Sequence, residues 1–199
     1  MTTLTKEAWD AFSAHGGTLR TTEALAAGIH PRTLYAMRNS GQIEALARGV
    51  YRLAGLPPLA NPDLATVAKR IPHGVICLIS ALAFHELTTQ IPHEVHVAIA
   101  RTARRPRLAF PPLRVYRFSS AAFEAGVDKH TMDGISIRVY SPEKTLADCF
   151  KYRSKIGMDV VLEALRAYRR RQPRFQNVLK YAKICRVERL MRPYLEALA

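Results

Sequence analysis

Residues 21–41, TTEALAAGIHPRTLYAMRNSG, predict two short helices joined by a tight turn. Thr21 or Thr22 is a suitable N-cap for the first helix, and Gly28 permits the turn. Pro31 falls near the first turn of the second helix, where its missing N–H costs nothing. The stretch therefore indicates a helix-turn-helix.

A ribbon is expected directly after these helices, because residues 45–55 read ALARGVYRLAG. The segments IEALA and VYRLA can pair around Arg48-Gly49, which places a cation at the tip of the turn. Two short helices, a glycine-containing turn and such a ribbon outline a winged helix-turn-helix, in which the second helix enters the DNA major groove. We assign residues 1–55 to such a domain, although any three-helix module has a similar outline.

The predicted second helix carries side chains that suit nucleic acid. Leu34 and Met37, with Ser40 or Ile43 one turn on, would face the small core. The remaining arc then presents cationic, hydroxyl and aromatic groups that can contact base edges or phosphates. From this pattern we expect DNA contacts from Arg32, Thr33, Tyr35, Arg38 and Asn39 on the helix and from Arg48 on the ribbon.

Composition also favours a polyanionic partner. The 199 residues include 30 Lys and Arg against 16 Asp and Glu, a formal net charge of +14, which suits nucleic acid or an anionic membrane surface. Residues 1–55 hold six cations and four anions, so most of the positive charge lies elsewhere. The scattered cysteines, and the lack of a signal segment or a membrane-length apolar stretch, predict a soluble cytoplasmic protein with buried thiols.

The remainder of the chain predicts an α+β protein with a second, mixed α/β domain. Residues 56–62 belong to a proline-rich stretch that we interpret as a linker, and we assign residues 63–199 to the second domain. Gly74–Leu87 is apolar nearly all round and predicts a buried helix. Asp133-Gly134 is a strong hairpin signal, and Ser141-Pro142 starts a helix. Three further helices are expected at about 158–171, 174–185 and 187–198.

Two segments of this second domain are strongly basic. Residues 101–117 contain six arginines and no acid, and residues 166–192 contain ten cations and one acid. The first segment is interpreted either as a solvated loop or as a contact for operator flanks, RNA or an acidic partner. The additional polyanion contacts that we expect are Arg104, Arg105, Arg107, Arg169, Arg170 and Arg171.

The sequence lacks the patterns of the enzymes that most often accompany DNA-binding modules. No Asp or Glu has Lys at the second position after it, as one type of metal-dependent nuclease requires, and there is no Asp-x-Asp pair for metal-bound nucleotide. His93 and His96 lie three apart on a predicted strand and would face opposite sides. Asp148 is expected to pair with Lys144 or Lys151. We therefore expect no enzyme activity, no metal and no cofactor.

Three segments of the chain together resemble one known family. Residues 16–55, GGTLRTTEALAAGIHPRTLYAMRNSGQIEALARGVYRLAG, resemble the N-terminal winged-helix domain of AbiEi-type antitoxins of type IV toxin-antitoxin systems. ISALAFHELTTQIPHEVHVAI at 79–99 and VYSPEKTLADCFKYRSKIGMDVVLEAL at 139–165 look like the domain that follows it. The resemblance covers roughly residues 10–170 and leaves the last two helices unassigned.

The resemblance implies a repressor that binds operator DNA upstream of its own operon. It also implies that the second domain counteracts a toxin with a nucleotidyltransferase fold, without a stable complex between the two, and KTLADCFKYRSKIG is where we would look for that activity. The family's DNA-contacting positions correspond to Arg32, Thr33, Tyr35, Arg38 and Arg48, with Arg20 and Arg52 as further positions.

Three questions stay open at this point. A plain transcriptional regulator without a toxin partner is the alternative function, and an RNA-binding domain that uses the basic C-terminal helices is a further one. The operator is expected to contain inverted repeats, which either monomers binding cooperatively or a preformed dimer can occupy.

Overall fold

The structure is a computed structural model that describes residues 3–171 and 173–198. Its contacts divide the chain into two compact units. The first unit extends through Pro72 and includes the hairpin tip His130–Ile137, and the second comprises His73–Lys129 and the chain from Arg138 onward. Both units contain helices and strands, so the predicted mixed α/β composition is confirmed.

The first unit combines four helices with a small antiparallel sheet. Its elements are α1 (Thr3–Ala14), β1 (Thr18–Arg20), α2 (Thr21–Ala26), α3 (Pro31–Asn39), β2 (Ile43–Ala47), β3 (Val50–Leu53) and α4 (Pro62–Arg70). The strand order is β1-β3-β2, with Arg48-Gly49 between the two paired strands of the predicted ribbon. The strand β1 was not predicted, and it makes β3 the central strand.

The turn between α2 and α3 depends on one glycine. Gly28 has φ +83°, and a Cβ there would meet no atom within 4 Å, so the backbone conformation and not crowding favours glycine. The Ile29 amide then donates to the Ala24 carbonyl at 3.0 Å and closes the turn. Leu34 and Met37 lie in the core of this unit, each 1% exposed, together with Ile43, as the spacing predicted.

The boundary of the first unit differs from the predicted one. Asn61 caps α4 and accepts from the Leu64 amide at 3.0 Å, but this helix groups with the first unit and not with the domain predicted from residue 63. The amphipathic helix packs against the three-stranded sheet, and its Lys69 pairs with Glu23 at 3.2 Å. The hairpin tip groups there as well, because Asp133 Oδ2 accepts from the Ala60 amide at 2.9 Å. The domain limits are therefore set by contacts between segments far apart in sequence.

The second unit contains a five-stranded mixed sheet and several helices. The elements are β4 (Val75–Ile76), α5 (Leu78–Phe84), β5 (Val95–Ala100), β6 (Leu113–Phe118), α6 (Ser120–Glu124), β7 (Val127–Met132), β8 (Ile135–Tyr140), α7 (Pro142–Lys151), α8 (Arg153–Ile156), α9 (Met158–Arg169), α10 (Phe175–Cys185) and α11 (Glu188–Glu196). The strand order is β6-β5-β4-β8-β7. β5 runs antiparallel to β4 and parallel to β6.

Local signals predicted several of these elements. Asp133 and Gly134 both have positive φ, as a two-residue hairpin turn requires, and Ser141 Oγ accepts from the Lys144 amide at 3.3 Å to cap α7. The predicted helix over Gly74–Leu87 is wrong at its start, because Val75 and Ile76 form a strand between β5 and β8.

A charged pair lies in the centre of the second unit. Lys144 is fully buried and pairs with Asp148, which is 1% exposed, one turn along α7. Cys185 Sγ donates to the other carboxylate oxygen at 3.1 Å. The Lys144 ammonium also lies 4.1 Å from the ring centroid of Tyr140 and 4.9 Å from that of Phe118. The expected pairing of Asp148 with a neighbouring lysine is thus confirmed.

Across residues 3–171 and 173–198, no helix is long and apolar enough to cross a membrane.

Candidate nucleic-acid interface

The exposed side of α3 presents three large polar side chains at intervals of three residues. Arg32, Tyr35 and Arg38 are all exposed, and Tyr35 keeps 48% of its surface accessible. Leu34 and Met37 anchor the opposite side in the core. Because residues three apart are neighbours on a helix surface, the structure brings these three side chains together along one stripe.

Two contacts orient the Arg38 side chain of this stripe. The Arg38 guanidinium lies over the Tyr35 ring at 5.3 Å from the centroid, and its Nη2 donates to Asn39 Oδ1 at 3.2 Å. Stacking of this kind contributes about 0.5–1 kcal/mol at an exposed site.

His30 caps this helix, and the sequence reasoning did not identify it. Its Nδ1 accepts from the Arg32 amide at 3.2 Å, so the ring satisfies a free N–H of the first turn. Thr33 is half-buried, and with His30 and Glu7 it lines a cleft of about 320 Å³. Of the expected contact residues on the helix, Thr33 is therefore the one placed away from the exposed stripe.

The turn between β2 and β3 is held from outside the ribbon. Gly49 adopts φ +73°, and its carbonyl accepts from the Thr21 amide at 3.0 Å. Arg70 Nη1 donates to the Arg48 carbonyl at 2.8 Å. The Arg48 side chain remains exposed at the tip. Arg70 was missed because the sequence boundary placed α4 in the other domain.

Arg52 does not belong to an accessible surface, which corrects its expected role. It is only 6% exposed. Its guanidinium donates to the backbone carbonyls of Leu56 and Pro57 and pairs with Glu44 at 3.6 Å. Arg52 therefore fastens the proline-rich stretch to β3, and this stretch is not the free linker that its composition suggested.

Arg20 is also committed to a contact inside the first unit. Its amide donates to Glu23 Oε2 at 2.8 Å, and its Nε lies 3.3 Å from Glu23 Oε1. Desolvation raises the pKa of Glu23, but the Arg20 hydrogen bond and the Lys69 charge outweigh it and leave the pKa below its usual range. Arg20 thus caps α2 and offsets an acid, and a phosphate would have to compete with that acid.

Positive charge is distributed unevenly between the units. The first unit holds eight Lys and Arg against six Asp and Glu, a net +2, so the second unit carries +12 of the total. Within the first unit, however, no acid occurs between Glu23 and Glu44. The whole of α3 lies in this acid-free stretch, and its charged residues are Arg32 and Arg38.

The two basic segments of the second unit differ in how their arginines are placed. In the loop that joins β5 to β6, Arg104, Arg105 and Arg107 are all exposed. Near the end of α9, Arg166, Arg169 and Arg170 line a cleft of about 320 Å³ with Leu198.

Arg171 is an exception to the expected polyanion contacts. Its Nη1 donates to the His85 carbonyl at 2.7 Å, and its Nη2 donates to the Glu86 carbonyl and contacts the Glu86 carboxylate, both at 3.1 Å. These contacts fasten the end of α9 to the end of α5. The role of Arg171 is therefore structural.

The described residues do not form a metal site. In residues 3–171 and 173–198, no group of three or more His, Cys, Asp or Glu side chains could hold a metal ion. His96 is 3% exposed, and burial lowers its pKa to about 4, although Glu94 lies 3.6 Å away. His96 is thus a neutral core residue.

Comparisons with known proteins give one family match and one similar solved structure. Residues 10–54 match the family model described as "Transcriptional regulator, AbiEi antitoxin". No curated protein matches the chain. Among solved structures, the crystal structure of the RV2827C protein from Mycobacterium tuberculosis matches 93% of this chain and 78% of that one, with a TM-score of 0.51 and 12% identity, which shows a shared fold. The resemblance of the N-terminal segment to AbiEi antitoxin regulators, which the sequence predicted, is therefore confirmed over residues 10–54.

Proposed function

We propose that the chain is a DNA-binding antitoxin of a type IV toxin-antitoxin system that represses its own operon and counteracts a nucleotidyltransferase-type toxin. The observation that carries the DNA-binding part is the exposed stripe of Arg32, Tyr35 and Arg38 on α3, inside the segment that matches a regulator family. The cellular location that goes with this function is the cytoplasm.

In this proposal the first unit is a winged helix-turn-helix. α2 and α3 are the helix pair, α3 enters the major groove, and the β2–β3 turn is the wing. Arg32 is near the helix start, where a guanidinium can bind a guanine edge through two hydrogen bonds. Tyr35 and Arg38 follow along the groove, Thr33 meets a phosphate beside it, and Arg48 contacts the backbone or the minor groove.

The near-neutral charge of the first unit fits a role in sequence discrimination. Affinity that depends on phosphates scales with the number of cations placed on the backbone. The first unit supplies few such cations, so its contribution to binding depends on where they are placed. We propose that Arg169 and Arg170, with Arg166, add sequence-independent phosphate contacts from the second unit.

The antitoxin part of the proposal is supported by the AbiEi family match and by the sequence resemblance over roughly residues 10–170. In this family the toxin is counteracted without a stable complex. The family is one of regulators and not of enzymes, which supports a role without catalysis. The operator is proposed to contain inverted repeats, since one winged helix contacts few base pairs.

A plain winged-helix regulator without a toxin is the second candidate function. A neighbouring gene distinguishes this function from the antitoxin function through its product. If it encodes a protein with a Gly-Ser dipeptide followed by an Asp-x-Asp pair, and its expression arrests growth unless this chain is co-expressed, the antitoxin function holds. Growth that is unaffected by every neighbouring gene favours the plain regulator.

Fluorescence anisotropy tests the DNA-binding part directly. The probe is a labelled duplex from just upstream of the gene, compared with a shuffled duplex at two salt concentrations. We expect wild type to prefer the upstream duplex and Arg32→Ala to lose most of that preference, since one bidentate base contact contributes about 1–3 kcal/mol of discrimination.

Lys6→Ala is the matched control, because Lys6 is an exposed cation of the first unit on α1. It removes the same charge without touching α3 or the turn. The proposal is wrong if both duplexes bind wild type equally, or if Lys6→Ala removes the preference as completely as Arg32→Ala.

A further inference from the structure

The loop between β5 and β6, residues 101–112, joins two parallel strands and therefore runs from the end of β5 back to the start of β6. The two strands are parallel neighbours with Val95 opposite Leu113. The Val95 amide also donates to the Pro112 carbonyl at 2.8 Å. Both strands therefore begin at the same end of the sheet, and the loops that enter them are side by side.

Two large apolar side chains protrude from these loops. Phe110 is 65% exposed and Ile91 is 84% exposed. Pro111 and Pro112 follow the phenylalanine directly and limit the backbone conformations of this loop end. A large aromatic ring held in water loses the free energy that burial would provide, so its position suits a partner that covers the ring.

Three arginines precede this ring along the loop. Arg104, Arg105 and Arg107 are exposed in the same loop, and residues 101–117 contain no acid. The loop start is fixed where Arg117 Nη1 donates to the Arg101 carbonyl at 3.0 Å. At the start of β6, Arg114 pairs with Glu94 at 3.1 Å. The three loop arginines and the exposed ring thus share one anchored segment.

We propose that this loop binds single-stranded nucleic acid. Phe110 stacks on an unpaired base, and Arg104, Arg105 and Arg107 contact the phosphates that flank it. A duplex hides its base faces and offers the ring nothing to stack on, whereas a single strand presents a flat face at every nucleotide. An acidic peptide would match the arginines but would leave the aromatic ring unused. This proposal does not depend on the proposed function of the first unit.

The test measures binding of labelled 12-nucleotide single strands, as RNA and as DNA of the same sequence, to the full chain over a range of salt concentrations. We expect Phe110→Ala to raise Kd by about five- to a hundredfold for the preferred strand, with the salt dependence unchanged. Phe110→Trp should restore binding, and Phe110→Leu should not, because leucine retains apolar bulk without a stacking face. Ile91→Ala is the matched control and should have a small effect.

The arginines are tested through the salt dependence. Replacing Arg104, Arg105 and Arg107 together by glutamine should flatten the slope of log K against log salt by about 2 for a single strand. The control is the triple replacement of Lys129, Lys151 and Lys155, three exposed cations of the second unit to which no nucleic-acid contact is assigned, and it should leave that slope unchanged. A preference for RNA or for DNA identifies the natural strand, and either preference supports the proposal.

Three results would overturn it. One is a Phe110→Ala variant that binds single strands as tightly as wild type. Another is displacement of the strands by poly-glutamate with equal effect on wild type and Phe110→Ala, which would mark a docking surface for acidic polypeptides. The third is loss of both duplex and single-strand binding in Arg32→Ala, since the loop should bind strands without α3. Conversely, if wild type binds the upstream and shuffled duplexes equally but still binds single strands through Phe110, the proposed function fails and the loop proposal is supported.

Discussion

Replacing Asp148 by leucine tests the buried charged pair of the second unit. The carboxylate is 1% exposed and lies one helical turn from the fully buried Lys144 ammonium. In Asp148→Leu the ammonium keeps only the faces of Tyr140 and Phe118, at 4.1 and 4.9 Å from their centroids. Aromatic faces offset part of the lost charge interaction but accept no full hydrogen bond.

The expected cost follows from the burial of both groups. Breaking a buried pair from one side costs about 3–5 kcal/mol, because the remaining charge is uncompensated. Lys144→Met should cost less than Asp148→Leu. Burial already raises the pKa of Asp148, and the carboxyl can take up a proton and keep its hydrogen bond from Cys185. The double variant removes both charges and should be close to wild type in stability.

Urea unfolding followed by circular dichroism at 222 nm gives these free energies for wild type, both single variants and the double variant. Fluorescence provides an internal reference, since the one tryptophan, Trp9, lies in the first unit. Single variants that lose less than about 1 kcal/mol, or a double variant that loses the sum of the two, would refute the reasoning. Either outcome would mean that the two charges are not buried together.

Three other measurements follow from the structure. Arg38→Ala should flatten the slope of log K against log salt for duplex binding by about 0.9, which fluorescence anisotropy measures. Arg52→Ala should leave that slope unchanged. It should instead lower the free energy of unfolding by about 1–3 kcal/mol, measured by thermal melting, because two backbone carbonyls and Glu44 lose their partner. The pKa of Glu23 lies below its usual value, so its stabilising contribution is present above the ordinary glutamate pKa and is lost as pH falls through the lowered one. In Glu23→Gln, the melting temperature of the first unit, followed by Trp9 fluorescence, should therefore fall less as the pH is lowered. A melting temperature with the same pH dependence as wild type would contradict this. Burial raises the pKa of Cys185 to about 12 and raises the pKa values of Cys77 and Cys149 well above the usual thiol value. A thiol reagent should therefore modify the native chain slowly and label all three thiols in denaturant.

The sequence predicted the elements whose signals are local. Gly28, Pro31 and the Asp133-Gly134 turn each fix a backbone conformation within a few residues, and all three occur where expected. β1 escaped prediction because three residues are too few for a periodic pattern. Val75–Ile76 was interpreted as helix because a buried strand and a buried helix are both continuously apolar over so short a stretch.

The sequence predicted only part of the candidate interface, namely the exposed face of α3. Spacing identified the buried and exposed faces of α3, but it could not distinguish a free arginine from a paired one. Arg52 and Arg171 bind backbone carbonyls that are brought to them by the fold, and no sequence pattern marks a carbonyl as an acceptor. Arg70 was missed because its helix was assigned to the other domain, and its contact with the Arg48 carbonyl spans 22 residues.

The division of charge has a kinetic consequence. Cations that contact phosphates without regard to sequence let a protein slide and hop along DNA, whereas contacts with base edges decide where it stops. With +12 of the net charge in the second unit, we expect salt to shorten the time that the protein spends on random DNA far more than its dwell time on an operator. The search for the operator and its recognition would then respond separately to the ionic conditions of the cell.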